Sequence, residues 1–266
     1  MSMQTNSQEQ DQHDARQLIV AVGRRMDRKN LVAAHDGNIS CREDEDTIWV
    51  TPTGVFKGFL SEDMLLRLRL DGTVLNSGPY KPSSEIQMHL RIYNENPEVS
   101  GIIHAHPPFS TAFAIAGKAL DTACYSETVV SLGVVPCVHY ETPGSKELAD
   151  AIAPYCRDYH ALLLANHGAL TWGRTLREAY TRLETLEHYA QILLYSTAFL
   201  GKANILSADQ VDALLAIREK QGIPSGGTPL SVERPDNLED ILPGGTAQSL
   251  ELPANLEDIL PEGTTL

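Results

Sequence analysis

The stretch from Gly101 to Pro108 constrains the fold of this chain more than any other, and it reads Gly-Ile-Ile-His-Ala-His-Pro-Pro. An apolar run that ends in two histidines predicts a strand, in which side chains at i and i+2 point to the same face. Proline has no N–H for a strand ladder, so Pro107 predicts the end of this strand. We therefore expect His104 and His106 side by side at a strand end, where they could fill two corners of a metal site.

A third histidine has a comparable setting. His167 lies in Asn166-His167-Gly168, a polar break between two short apolar runs. A single histidine is most simply a hydrogen-bonded structural residue, and it is the set of three that favours a metal site. Three histidines with an open fourth position are typical of a catalytic zinc site, whereas a structural zinc site is closed by four protein ligands.

Composition and charge exclude several classes of protein. Hydrophobic residues make up 42% of the 266 residues and charged residues 21%, an ordinary globular mixture. No run approaches the roughly 18 apolar residues that a membrane span needs, and the net charge of −14 argues against a nucleic-acid partner. The polar N-terminus lacks an apolar signal segment and the four cysteines are scattered, so we expect a cytoplasmic protein with reduced thiols.

The chain divides by composition into three parts. Residues 1–12 are polar and predict a disordered lead, and residues 13–222 predict one catalytic domain. Residues 223–266 hold eight acidic residues and one basic residue, and they predict a flexible acidic tail. The tail repeats the segment Asn-Leu-Glu-Asp-Ile-Leu-Pro at 237–243 and 255–261, which is far too short for a solenoid.

Apolar periodicity and turn residues predict alternating helices and strands. The predicted helices are 14–30, 83–94, 109–116, 145–155, 175–200 and 207–220. The predicted strands are 39–42, 47–50, 64–70 in a hairpin with 73–75, 101–106, 160–165 and 169–172, and 128–138 is expected to include one more. This order favours an α/β sandwich over a doubly wound sheet, and no glycine-rich nucleotide motif follows a strand.

Two further groups of residues could carry chemistry. Glu85 follows two serines at a predicted helix start and is a candidate acid/base, although carboxylates are also common there for structural reasons. The other group lies in turns or at that helix start, where free amides and hydroxyls can bind a phosphate or carboxylate, or can simply form turns and caps. Its members are Gly37, Asn38, Thr53, Gly54, Ser83 and Ser84.

Five stretches together resemble the class II aldolase/adducin family, in the family's order and over about residues 14–220. They are Gly37-Asn38-Ile39-Ser40, Thr51-Pro52-Thr53-Gly54, Ser83-Ser84-Glu85, His104-Ala105-His106 and Asn166-His167-Gly168. The resemblance implies a three-layer sandwich, with a central mainly antiparallel sheet flanked by helices. It also implies a homotetramer with active sites between subunits.

The resemblance further implies a role for each matching residue. His104, His106 and His167 would bind Zn²⁺, with Mn²⁺ or Co²⁺ as alternatives, and Glu85 would be the acid/base. Tyr125 would reach the active site of a neighbouring subunit. The substrate phosphate would be held by Gly37, Asn38, Thr53, Gly54, Ser83 and Ser84.

The implied reaction is the metal-dependent cleavage of a ketose 1-phosphate to dihydroxyacetone phosphate and an aldehyde, through a zinc-stabilised enediolate. The chain departs from the family's aldolases at the phosphate pocket, because His35, followed by Asp36, stands where a small hydroxyl residue lines their pocket. The family's C-terminal active-site tyrosine also has no match in the tail. A metal-dependent decarboxylase of a hydroxylated aromatic or sugar acid is therefore a second hypothesis. An epimerase and a non-catalytic adducin-like binding protein are further alternatives.

Overall fold

A seven-stranded mixed sheet forms the centre of the fold in a computed structural model that describes residues 14–224 and 226–231. The strands are β1 (Asn38–Arg42), β2 (Thr47–Val50), β3 (Leu66–Arg69), β4 (Gly101–Ala105), β5 (Cys137–Val138), β6 (Ala161–Leu164) and β7 (Gly168–Gly173). Their order across the sheet is β3-β2-β1-β4-β7-β6-β5, and every neighbouring pair is antiparallel except β5 with β6. The predicted sandwich with a mainly antiparallel sheet is confirmed.

Seven α-helices accompany the sheet in the described residues. They are α1 (Ala15–Arg28), α2 (Ile86–Glu95), α3 (Pro108–Ile115), α4 (Ser126–Ser131), α5 (Lys146–Ile152), α6 (Leu176–Ala198) and α7 (Ala208–Lys220). All helices predicted from the sequence are present. Helix α4 was not predicted from the sequence, because the segment 128–138 was interpreted as containing only a strand. The structure has both α4 and the two-residue strand β5 there, and α4 is stabilised by packing of Val129 against Val211 of α7.

Strand alternation divides the core into two layers, one on each face of the sheet. On β4, Ile103 packs with α1, α3 and α6, whereas Ile102 packs with α2 and α5 on the opposite face. The same alternation holds on β1, where Ile39 belongs to the layer of Ile103. His104 lies two residues after Ile102 and so belongs to the α2 face. The sheet therefore presents the first two histidines towards the helix that Glu85 precedes.

The predicted hairpin after residue 64 is present but short. Gly72 makes the turn with φ +89°, and Arg69 N–H donates to Thr73 O at 2.9 Å. Only one bridge, between Leu68 and Val74, joins the returning segment to β3.

Residues 226–231 contact the domain beyond residue 222, where the sequence predicted the start of a tail. Val134 N–H donates to Gly226 O at 2.7 Å, and Leu230 N–H donates to Asp121 O at 2.7 Å. The predicted N-terminal lead and the two copies of the repeated segment lie outside the described residues. Among the described residues, no helix is both long enough and apolar enough to cross a membrane.

Candidate active site

The end of β4 places two histidines at the edge of the sheet. His104 is fully buried, and its Nδ1–H donates to the backbone carbonyl of Ala169 on β7 at 2.9 Å. His106 is partly exposed, and its Nδ1 lies 3.4 Å from Oδ2 of Asp36. A partner on Nδ1 leaves the Nε2 lone pair free to bind a metal ion. In both rings this free Nε2 points to the same place, because the two Nε2 atoms are 3.0 Å apart.

The tight connection between β6 and β7 contributes the third histidine. Asn166 adopts φ +55°, which turns the chain sharply before His167. A Cβ atom on Gly168 would lie 2.5 Å from the His106 ring, so only glycine leaves room for that ring. The centroid of the His167 ring is 4.6 Å from that of His104 and 5.1 Å from that of His106. The structure thus brings together the three histidines that the sequence singled out.

The geometry of these three imidazoles fits a divalent cation. Their ligand nitrogens all lie within 4.8 Å of one another. Zn–N bonds of about 2.0–2.1 Å put two nitrogens of a tetrahedral site about 3.4 Å apart, near the 3.0 Å between the Nε2 atoms of His104 and His106. Burial lowers the pKa of His104 to about 3 and also lowers the pKa of His106. Both rings are therefore neutral at physiological pH, which is the form that binds metals.

Glu85 completes the cluster from the start of α2. Its Oε1 lies 2.9 Å from Nε2 of His167 and 3.5 Å from Nε2 of His104. Its Oε2 accepts a hydrogen bond of 2.9 Å from Nδ2 of Asn38. Burial alone would raise the pKa of Glu85, but the hydrogen bond from His167 and the nearby imidazoles outweigh it, so the pKa falls to about 2. The site therefore holds an ionised carboxylate in contact with the histidines.

The backbone around Glu85 explains why its side chain is free for this contact. Glu85 occupies the N-cap position of α2, and its side chain makes no cap hydrogen bond. The Ser83 hydroxyl instead accepts from the Glu85 N–H at 3.3 Å. The carboxylate is consequently left to face the histidines.

Hydrogen bonds join the segments of the predicted anion pocket to one another, and one of them reaches Glu85. Asn38 is the register partner of His104 and donates to Glu85. Thr53 N–H donates to Lys81 O at 2.9 Å, which brings this turn beside the segment that leads into Ser83-Ser84. Gly54 has φ +72°, and a Cβ atom there would meet no atom within 4 Å, so its backbone is open to a ligand. The pocket residues thus share one edge of the sheet with the metal-binding candidates.

Two residues that drew attention in the sequence lie apart from the triad. Tyr125 packs beside His188 with 6.0 Å between ring centroids, and no hydrogen bond or ring contact joins it to the triad in the part of the chain that the structure describes. Its role across a subunit boundary stays a prediction. His35 is exposed and its ring lies 6.3 Å from that of Phe56.

Sequence reasoning assigned no role to two residues next to the site. Asp36 contacts His106, and its position directly before the Gly37-Asn38 motif is the only sequence signal for it. Lys57 is buried close to the predicted anion pocket, and a lysine in a mixed segment carries no sequence signal of burial.

Comparison with known proteins identifies the family of this chain. Residues 17–194 match the model of the class II aldolase and adducin N-terminal domain family. The chain is 34% identical to a 5-deoxy-D-ribulose 1-phosphate aldolase of Bacillus thuringiensis, over 75% of this chain and 92% of that protein. It is 33% identical to a 3-oxo-tetronate 4-phosphate decarboxylase of Pectobacterium atrosepticum, over 75% of this chain and 92% of that protein.

A solved structure of an L-fuculose 1-phosphate aldolase superposes with a TM-score of 0.71 and 28% identity, over 79% of this chain and 96% of that chain. These relatives are aldolases and a decarboxylase, and the prediction that this chain is a carbon–carbon lyase is confirmed. The chain belongs to the class II aldolase and adducin family.

Proposed function

We propose that this protein is a metal-dependent aldolase that cleaves a ketose 1-phosphate to dihydroxyacetone phosphate and an aldehyde. The observation that carries the proposal is the ionised Glu85 carboxylate held 2.9 Å from His167 within a histidine triad. Such a carboxylate can move a proton on a carbon next to a carbonyl group. The aldolases among the relatives support the same reaction class.

In this proposal His104, His106 and His167 hold the cation, which we expect to be Zn²⁺, with Mn²⁺ or Co²⁺ as alternatives. A bound divalent cation supplies a Lewis acid that stabilises negative charge developing on substrate oxygens. Nδ1 of His104 contacts Ala169 and Nδ1 of His106 contacts Asp36, so Nε2 of each ring is left to bind the cation.

The proposed reaction breaks the bond between C3 and C4 of the ketose. The electron pair of that bond moves towards the C2 carbonyl oxygen, and the C4 hydroxyl loses its proton as C4 becomes the aldehyde. A proton then adds to C3 to give dihydroxyacetone phosphate. Glu85, which is ionised at the outset, takes this proton from water and delivers it to C3. We assign the transfer of the C4 hydroxyl proton to Tyr125 of a neighbouring subunit, which passes its own phenol proton to water as it accepts that one. The neighbouring subunit belongs to the homotetramer that the family resemblance implies.

The substrate phosphate would lie at the edge formed by Gly37-Asn38, Thr53-Gly54 and Ser83-Ser84. Two positions support this assignment, because Gly37 and Gly54 both adopt positive φ, of 74° and 72°, and such turns present their amides to anions.

We further propose a cytoplasmic location. The four cysteines are free thiols, and the buried pair, Cys41 and Cys156, each has its pKa raised to about 12 by burial.

A substrate panel tests the reaction. The protein is purified without an affinity tag, its metal content is measured, and ketose 1-phosphates of different stereochemistry are assayed by aldehyde release. We expect one divalent ion per chain and release of an aldehyde from at least one substrate. Absence of a bound divalent ion would contradict the metal site, and absence of aldehyde release across the panel would contradict the aldolase.

A decarboxylase of a sugar-acid phosphate is a second candidate, favoured by the relative named as a 3-oxo-tetronate 4-phosphate decarboxylase. Here the bond to a carboxylate carbon breaks, carbon dioxide departs, the electron pair moves to the neighbouring carbonyl, and Glu85 protonates the carbon left behind. Carbon dioxide release from a panel of 3-oxo acid phosphates, without aldehyde release from the ketose panel, would favour it over the aldolase.

A further inference from the structure

Lys57 is a buried lysine close to the predicted anion pocket. It is 1% exposed, and its ammonium donates to the backbone carbonyls of His35 and Val55, each at 3.0 Å. Within residues 14–224 and 226–231 it takes part in no ion pair. Lysine is almost never fully buried unless paired, because an unpaired buried charge costs folding free energy. The fold therefore retains this buried charge at a cost in desolvation free energy.

The two carbonyls belong to the two loops that carry the glycine turns of the predicted anion pocket. His35 lies two residues before Gly37, and Val55 directly follows Gly54. Both glycines have positive φ, so each loop turns close to the carbonyl group that accepts a hydrogen bond from Lys57. One ammonium group thus fixes the distance between the two turns.

The charge of Lys57 also reaches the catalytic cluster. Burial lowers the pKa of Lys57 to about 8, and Asp36 and Glu85 oppose that shift by electrostatic attraction. Those two carboxylates contact the histidine triad directly. The ammonium therefore lies close enough to the site for its field to act on a bound substrate.

The predicted pocket residues offer only amides and hydroxyls, and none of them carries a positive charge. We propose that Lys57 is a positioning residue that selects an anionic substrate, both by holding the two glycine turns together and by providing the buried charge that a bound phosphate balances. The inference rests on the proposed function only in placing the substrate anion between these turns. It assigns Lys57 no part in bond cleavage.

The test compares Lys57→Met, which keeps the length of the side chain, with Lys202→Met as the matched control. Lys202 is exposed and lies between α6 and α7. For each metal-loaded protein, thermal stability is measured without ligand, and affinity for inorganic phosphate is measured by titration and by competitive inhibition.

We expect Lys57→Met to bind phosphate about ten- to a hundredfold more weakly than the wild type. Its melting temperature without ligand should change little, because the loss of two hydrogen bonds to carbonyls opposes the gain from removing a buried charge. KM for a phosphorylated substrate should rise more than kcat falls, and Lys202→Met should match the wild type. Unchanged phosphate affinity in Lys57→Met would overturn the proposal, and so would an equal loss of affinity in Lys202→Met.

A measurement on the wild type keeps the proposal testable if Lys57→Met does not fold. The lysine side-chain signals are followed by NMR as pH rises, with and without sulfate, which stays a dianion throughout. We expect one lysine to titrate near pH 8 and sulfate to move its midpoint upward by about half a pH unit or more. A midpoint that sulfate leaves unchanged would overturn the proposal.

The results also separate this inference from the proposed function. Weak phosphate binding by Lys57→Met, together with no aldehyde release from any ketose phosphate, would retain the anion site and reject the aldolase. Aldehyde release with unchanged phosphate binding in the variant would retain the aldolase and reject the role of Lys57.

Discussion

Glu85→Gln tests the centre of the proposed chemistry. Glutamine has nearly the shape of glutamate, and it can still accept from Asn38, whose Nδ2 lies 2.9 Å from Oε2 of Glu85. It cannot accept and return a proton. A positioned acid/base contributes about 10²- to 10⁴-fold to a rate, so we expect kcat to fall by that factor, or about 3–5 kcal/mol of transition-state stabilisation.

The same substitution has an effect on stability whose size follows from the pKa of Glu85. In the metal-free protein this pKa falls from 4.5 to about 2, because contacts with His167 and the other imidazoles outweigh the effect of burial. At 1.36 kcal/mol for each pKa unit, the ionised carboxylate contributes at most about 3 kcal/mol to folding, because part of the shift needs charged imidazoles and His104 and His106 are neutral near pH 7. A lowered pKa stabilises the fold above pH 4.5, and this contribution is lost as pH falls through about 2.

The assay measures aldehyde release, metal content and unfolding by denaturant on the same samples. The control is Glu98→Gln, whose carboxylate is 69% exposed and pairs with Arg174 at the surface. We expect Glu85→Gln to lose activity with unchanged metal content, and to lose up to about 3 kcal/mol of metal-free stability at neutral pH. Cleavage within about threefold of the wild type, with the metal retained, would refute the acid/base role.

Three further changes test neighbouring contacts. Asn38→Ala removes the donor to Glu85 Oε2. The apparent acidic pKa of the pH–rate profile should therefore rise, and kcat should fall by about tenfold. Chelation of the metal should abolish turnover and addition of Zn²⁺, Mn²⁺ or Co²⁺ should restore it, whereas His167→Ala should bind the metal more weakly in a dialysis titration. Glu187→Gln removes a charge that accepts from two N–H groups at the start of α3 and from the Ser110 hydroxyl. Thermal unfolding should show a loss of about 1–3 kcal/mol.

The strand that carries the first two histidines could be predicted because its pattern is local. Ile102 and Ile103 make both faces of the segment apolar ahead of the histidines, and the prolines after His106 end it. The two-residue spacing of His104 and His106 then fixes their common side without any knowledge of the fold. The convergence of their Nε2 atoms at 3.0 Å follows from that spacing.

The assembly of the rest of the site could not be derived from local patterns. β1 pairs with β4 across some sixty residues of chain, so nothing in either segment alone specifies the pairing of Asn38 with His104. The position of Glu85 near the histidines was inferred from family resemblance for the same reason. Lys57 was missed because lysine is normally exposed, and only the tertiary structure shows that two loops enclose it.

The packing of α2 on β1 explains how the fold holds the Glu85 carboxylate in place. Two residues of a strand advance about 6.6 Å and four residues of a helix about 6 Å, so alternate strand residues can meet successive helix turns. Asn38 donates to Glu85 at 2.9 Å, and the Ser40 hydroxyl lies 2.7 Å from Nδ1 of His89 and 2.9 Å from the hydroxyl of Tyr93.

This row of hydrogen bonds runs through an otherwise apolar layer. Burial lowers the pKa of His89 to about 3, so its ring remains neutral and forms no ion pair that could favour another register. An apolar contact would tolerate sliding of α2 along β1, whereas these directional bonds allow one register. A slide of one helical turn would separate Glu85 from Asn38 and from the triad together. The contacts that dock α2 on the sheet are therefore also the contacts that keep the carboxylate beside the histidines.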